Sequence, residues 1–448
     1  MRDLVFTALM IPLIGMAGAQ PFVGVLLWSW ISFMSVHQLN WGFATSLPWA
    51  AIVFVVTVFG CFVAREPKRA PVNALTVLTV LMMAGITVTS LTALGPAEWV
   101  WPMWDRVFKI LLGLLLTAAL LDSRRRVHAL IWLIVVSLGY FGVKGGIFTL
   151  RSGGSHIVLG PPNSMIADRN QLAAALLVSL PLMNYLRANS RHRIIRIGFA
   201  IAMVTTLFSV VGSQSRGALV GLVATAAVLW MRSRGKILSG VAIVLFVGLA
   251  IAFMPDTWTE RMNTMLHYEE DGSAMGRITV WMASLAIARA RPLLGGGFRA
   301  MYQQDIVNRV MPGVAARAAH SIWFEVLGEH GFVVFGIWLG MLITGGLYTL
   351  QIARLTRKRP DLRWANDLAR MSQVSMVAYM SAGSFVSLSY WDCFWTLMVV
   401  LGAVKRLVTE AVRKPAPSPT APVEGGWRAR AAFAGSPPLA AARAGPRP

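Results

Sequence analysis

The sequence predicts an all-α bundle that crosses a membrane about 12–13 times and carries one large extracytoplasmic loop with an amphipathic helix in it. Three observations lead there. Of the 448 residues, 56% are hydrophobic and only 13% charged, and the mean hydropathy is +0.62. Soluble chains carry about 25% charged residues, so too little charge is present to cover a globular surface, and lipid must be the main solvent. That excludes a disordered chain, a fibrous chain and an ordinary soluble enzyme. The apolar residues are gathered in runs of spanning length. The net charge of +22 would elsewhere suggest nucleic acid, but the Lys and Arg fall in short clusters between the runs, as orienting charges do. Cys61 and Cys393 both lie in predicted spans and suggest neither a disulfide framework nor a zinc site.

Taken in order, spans are expected near 4–17, 20–35, 48–64, 72–92, 103–121, 127–148, 170–187, 197–212, 217–231, 237–254, 331–350, 368–388 and 392–408. The first two are too long together for a secretory signal, and no small-residue cleavage site follows a short apolar core. Basic clusters follow every second span: Arg65, Lys68 and Arg69; Arg124, Arg125 and Arg126; Arg187, Arg191, Arg193 and Arg196; Arg232, Arg234 and Lys236; then Arg354, Arg357, Lys358, Arg359 and Arg363. These loops are read as cytoplasmic. The loops 93–102, 149–169, 213–216, 255–330 and 389–391 are then extracytoplasmic, and the C-terminus cytoplasmic. The side of the N-terminus stays open, because Arg2 and Asp3 cancel. No internal repeat supports an inverted-repeat transporter. Three regions result: a membrane-spanning region 1–148, a second membrane region 149–408 that includes the loop 255–330, and a basic, Pro- and Ala-rich tail 409–448 without an apolar period, expected to be disordered.

The loop 255–330 holds seven Arg and eight Asp or Glu and is too long for a connector. Within it, Arg277 to Ala290 reads as an amphipathic helix with Ile278, Trp281, Met282, Leu285 and Ile287 apolar, suited to a membrane surface. Arg291-Pro292-Leu293-Leu294-Gly295-Gly296-Gly297 then ends it. Four groups of residues can carry chemistry. Gly212-Ser213-Gln214-Ser215-Arg216-Gly217 joins two spans and looks like an anion site at a helix start; the plain alternative is an arginine that snorkels to the headgroups. Arg277 opens the amphipathic helix beside Gly276, with Trp281 one turn on; alternatively it is a solvated surface arginine. His320-Ser321 ends the large loop, and a histidine of near-neutral pKa there suits general-base work; otherwise it is a hydrogen-bonded loop histidine. Glu325 and Glu329, one turn apart, either orient that histidine or cap the span. Asp168 is suited to capping the seventh span, and Arg169 adds a cation there. Phosphate-loop, zinc-protease and serine-elbow motifs are absent. The acidic run Glu269-Glu270-Asp271 reads as a solvated turn.

Ser215-Arg216-Gly217, Gly276-Arg277 with Trp281, Pro292 to Gly297, and His320-Ser321 with Leu327-Gly328 and Gly331 resemble, in order and spacing, the bacterial O-antigen ligase/polymerase family. The stretch Pro21 to Ala44, with Trp28, Trp30, His37 and Trp41, is similar to the exosortase-A-associated putative O-glycosylation ligase branch. The resemblance implies a C-type, metal-independent, inverting glycosyltransferase of the bacterial inner membrane, without cofactor, working on its periplasmic face. It would take a glycan from undecaprenyl diphosphate and pass it to a glycolipid or protein acceptor. Its partners would be that donor, the acceptor and the bilayer, with no nucleic acid. Carried over, Arg216 and Arg277 hold the diphosphate and His320 is the base. Ser215, Arg169, Trp281, Glu325 and Glu329 are candidates for substrate contact. The rival within the family is a polysaccharide polymerase. The rival outside it is a non-catalytic carrier or flippase for lipid-linked sugars, which would not require His320 in a large outer loop.

Overall fold

The computed structural model describes residues 1–65, 68, 72–233, 235–263 and 272–413. Among them are sixteen α-helices and no strand: α1 Arg2–Ala19, α2 Pro21–Met34, α3 Trp49–Val63, α4 Ala74–Leu91, α5 Ala97–Leu120, α6 Arg124–Arg151, α7 Arg169–Asn189, α8 Arg193–Gly212, α9 Arg216–Arg232, α10 Lys236–Phe253, α11 Asp256–Asn263, α12 Gly272–Ala290, α13 Gln304–Val310, α14 Ile322–Thr356, α15 Arg363–Gly383 and α16 Asp392–Arg413. Each of the thirteen apolar runs is a helix, and the chain is an all-α polytopic membrane protein. Six of these helices, α1, α4, α6, α8, α10 and α14, are long and apolar enough on their own to cross a membrane, and α2 and α3 are shorter apolar helices. Helices α7 and α16 are buried almost all round inside the bundle. Their solvent is protein, so they do not need the hydropathy of a lipid-facing span.

Small residues set the tightest packing. Helices α6 and α8 meet where a Cβ on Gly142 would lie 2.3 Å from Thr206 Oγ1 and one on Gly146 would lie 1.9 Å from the Thr205 carbonyl oxygen. This is close backbone approach through glycine, the usual way membrane helices associate without a hydrophobic driving force. The first three helices enclose their own cluster of Phe6, Met10, Trp28, Ile31, Trp49 and Val53. Asp3 accepts hydrogen bonds from the amides of Gly42 (3.0 Å) and Ala44 (3.1 Å), and the Arg2 guanidinium lies 4.4 Å from the Trp41 ring centre. The start of the chain is therefore tied to the loop between α2 and α3.

The long loop is folded rather than extended. It contains α11, α12 and α13, and Val280, Ala283, Ile287, Ala300, Met301, Ile306, Val307 and Ala319 form a core of its own. Helix α12 packs on α14, where a Cβ on Gly328 would lie 3.0 Å from the Ser284 Cβ, and it buries Val280, Ala283, Ser284, Ile287 and Ala288. Of the expected apolar residues Ile287 is buried here, Trp281 is half-buried and Met282 is exposed, and Ser284 lies against Gly328. Helix α14 begins nine residues before the expected span and kinks at Gly331 (φ 72°, ψ −173°), a backbone region open essentially to glycine alone. The kink frees the carbonyls of Gly328 and Glu329. The amides of Gly296 (2.9 Å) and Gly297 (2.7 Å) donate to them, and the Phe332 amide donates to the Pro292 carbonyl (2.8 Å). The glycine run is thus a docking edge for the broken helix. At the other end of the chain, α16 continues to Arg413, so residues 409–413 are helix, not tail; the expected tail beyond them, Arg69, Arg234 and the acidic run Glu269 to Asp271 lie outside the described residues.

Candidate functional site

The loops expected on one side of the membrane touch one another. Gln171 donates to the Ser387 carbonyl (3.2 Å), Gln214 to the Gly154 carbonyl (3.2 Å), and Leu94 to the Gly296 carbonyl (2.9 Å). The candidate residues all project from this set of loops and the helix ends beside them. At the start of α9, Ser215 accepts from the Ala218 amide (3.2 Å) and so caps the helix, leaving Arg216 as its first residue, half-buried. Gly217 lies against Phe385: a Cβ there would be 2.6 Å from the Phe385 Cβ. Phe385 in turn contacts the Trp281 ring (6.3 Å between centres), and Trp281 stacks on Phe324 at 5.3 Å and 7°.

Trp281 joins this wall to the histidine. Its indole N–H donates to the Ala319 carbonyl at 2.7 Å, fixing the residue before His320. His320 is exposed and has a left-handed backbone (φ 45°), a region sparsely used by non-glycine residues although His is enriched there. The imidazole pKa is held below the ordinary 6.5, first by partial desolvation against the protein and then by Arg277, with Arg317 acting the same way and Asp168 opposing. His320 is therefore mostly neutral at pH 7 and able to accept a proton. Ser321 takes the cap position of α14 without a side-chain cap bond.

Asp168 has two functions of place. It caps α7 by accepting from the Asn170 amide (2.8 Å), as the sequence suggests, and it also faces His320. Arg169, the first residue of α7, is half-buried next to it. The structure thus brings His320, Arg277 and Asp168 together and connects them to the start of α9 through Trp281 and Phe385. Glu325 and Glu329 point elsewhere. Glu325 accepts a hydrogen bond from the Ser389 hydroxyl and from its amide (3.3 Å); Glu329 accepts from the Tyr390 hydroxyl (2.8 Å) and the Arg299 amide (2.8 Å). Both carboxylates hold the 389–390 turn and the end of the glycine run against α14. Arg317 and Phe385 were not legible as site residues, since an arginine in a polar connection and an aromatic at a span end have many unremarkable roles. Among the described residues no group of three or more His, Cys, Asp and Glu converges as a metal set.

Residues 201–339 match the family model described as O-antigen ligase, the region that holds Arg216, Arg277, Trp281, His320, Glu325 and Glu329. Residues 1–191 match a family of unknown function (DUF5935). No curated protein matches the chain. The resemblance read from the four short motifs is thus met by a family match over the same stretch, and the chain is similar there to O-antigen ligases.

Proposed function

We propose that this membrane protein, with its O-antigen-ligase region, transfers a glycan from a polyprenyl-diphosphate donor to an acceptor hydroxyl at the outer face of the bacterial inner membrane. The observation that supports the reading is His320, its pKa lowered by desolvation and by Arg277, in the connection that Trp281 anchors at the Ala319 carbonyl on the wall that leads to the start of α9. In the reaction, the acceptor oxygen attacks the anomeric carbon and the bond from that carbon to the diphosphate oxygen breaks. The acceptor proton passes to an imidazole nitrogen of His320, and the electron pair leaves with the diphosphate. Arg216 and Arg277 stabilise the charge that grows on the leaving group; guanidinium groups suit this because they bind phosphate oxygens in pairs. Attack opposite the leaving group inverts the anomeric centre. Ser215 and Arg169 complete the donor cradle, and Trp281 offers an aromatic edge to the sugar. Glu325 and Glu329 act on substrate through the turns they hold. The lipid-facing bundle accommodates the polyprenyl chain, and no metal or nucleotide takes part.

Transfer by the purified full-length protein, supplied with lipid-linked glycan and acceptor and followed by mass spectrometry, tests the reading. Product should form without nucleotide and with EDTA present. Activity lost in EDTA and restored by one divalent metal refutes the metal-free mechanism. In cells lacking the protein, unligated lipid-linked polymer should accumulate; single repeat units would instead mark a polymerase.

A further inference from the structure

We propose that Arg317 is a positioning residue for His320, and that Gly276 is the seat that places its guanidinium beside Arg277 and the imidazole. A Cβ on Gly276 would lie 2.5 Å from Arg317 Nη1 and 3.1 Å from its Cζ. A hydrogen at this position is what lets the guanidinium lie across the first turns of α12. Arg277 is the next residue, so two guanidinium groups share that end of the helix. Arg317 is three residues before His320 in the same connection, and the Trp281 indole holds that connection at the Ala319 carbonyl, 2.7 Å away. The arrangement gives Gly276 a reason that its place in the Gly-Arg motif does not reveal: one residue supplies a cation, and the residue before it makes room for a second.

The charged groups that face the imidazole are Arg277 from α12, Arg317 from the connection and Asp168 from the start of α7. Glu325, on the first turn of α14, has its carboxylate on Ser389. Two cations against one carboxylate disfavour a third positive charge. Arg317 therefore keeps the imidazole neutral, and ready to accept a proton, at lower pH than it would be otherwise. The role rests on the reading of His320 as the base.

The test uses the purified full chain in detergent, labelled at histidine, with the His320 resonance assigned by its loss in His320→Gln and followed through a pH titration. Gly276→Ala adds one methyl at the seat; the end of a flexible arginine is what must move, and alanine favours the helix. Arg317→Gln removes the charge directly. Each should raise the His320 midpoint by about a few tenths of a pH unit, as expected of one solvent-exposed charge several ångströms away. The double variant should shift no further than Arg317→Gln alone, the shift should shrink in high salt, and Arg317→Lys should keep most of the parent behaviour. The acid limb of transfer should move in the same direction. An unchanged midpoint in Arg317→Gln overturns the proposal, as does a Gly276→Ala shift that adds in full to it. Failure of the underlying reading has a different signature: His320→Gln would transfer at the parent rate.

Discussion

A cation that grips a leaving group and a base that takes a proton fail differently when removed. Arg216→Ala and Arg277→Ala should weaken donor use, and Arg216→Lys should recover only part, since a lysine restores the charge but not the planar fork. His320→Ala should leave donor binding nearly intact and slow single-turnover transfer by roughly 10²–10⁴-fold, the usual loss for a general base. Donor binding and transfer measured side by side decide it: a His320→Ala chain that cannot bind donor, with Arg216→Ala binding normally, reverses the assignment. The pH profile adds a sign. His320 is lowered from its ordinary 6.5 by desolvation and by Arg277, and only the neutral ring accepts a proton. Transfer should hold from neutral pH down and fall only below 6.5, and His320→Ala should lose that limb. An acid limb above 6.5 would contradict the environment of the imidazole. At this scale the sequence exposes the residues whose type is costly where they stand, Arg216 beside a span above all. It does not expose Arg317 or the second role of Asp168, because each gains its meaning from a neighbour brought close by folding: Gly276 is 41 positions from Arg317, and Asp168 is 152 from His320.

Between elements, glycine decides how near two helices come. The Gly146 Cα faces the Thr205 carbonyl so closely that an added Cβ would meet backbone, which cannot rotate away as a side chain can. Gly146→Ala should therefore destabilise the chain in detergent by about 1–3 kcal/mol, the usual cost of overpacking, seen as a lowered thermal midpoint. Gly198→Ala on α8, whose Cβ would meet nothing within 4 Å, is the control and should be neutral or slightly stabilising. Equal midpoints for both variants would remove the close α6–α8 contact from the account of stability. The helices themselves were legible, since long apolar runs leave the backbone no other way to satisfy its hydrogen bonds in lipid. The break at Gly331 was not. The sequence places the start of the span at 331, so the helix before that glycine reads as loop, and only the amides of Gly296 and Gly297, delivered from 30 or more residues away, make the broken form satisfiable. On α12, Ile287 of the expected apolar stripe is buried together with Val280, Ala283, Ser284 and Ala288, while Met282 of that stripe stays exposed.

At the scale of the whole molecule, two sets of connections stand out among the described residues. One set joins the candidate site. The other joins the basic ends: Arg406 donates to the Leu121 carbonyl (2.6 Å), Arg126 to the Leu120 carbonyl (2.7 Å), Arg232 to the Arg370 carbonyl (3.2 Å) and Arg359 to the Ala411 carbonyl (3.4 Å). Helix ends and connections that carry the basic residues are thus tied to one another in space, and the positive-inside rule makes the cytoplasm the expected side of this set. The sequence left the N-terminus undecided, because Arg2 and Asp3 cancel as charges. Their contacts decide what their charge does not. Asp3 binds the amides of Gly42 and Ala44, and that same loop reaches the opposite set through Asn163, which donates to the Gln38 side chain at 3.5 Å. The N-terminus therefore shares a face with His320. The expected topology is thirteen crossings with the N-terminus and loop 255–330 outside and loop 351–365 and the C-terminus inside. Single cysteines at position 2 and at an exposed position in 255–330, in a chain cleared of Cys61 and Cys393, should react with an impermeant thiol reagent added outside intact spheroplasts. A cysteine at position 358 should react only after lysis. Labelling of position 358 from outside would invert the bundle, and labelling of position 2 from inside alone would break the link between the first helix and the site face.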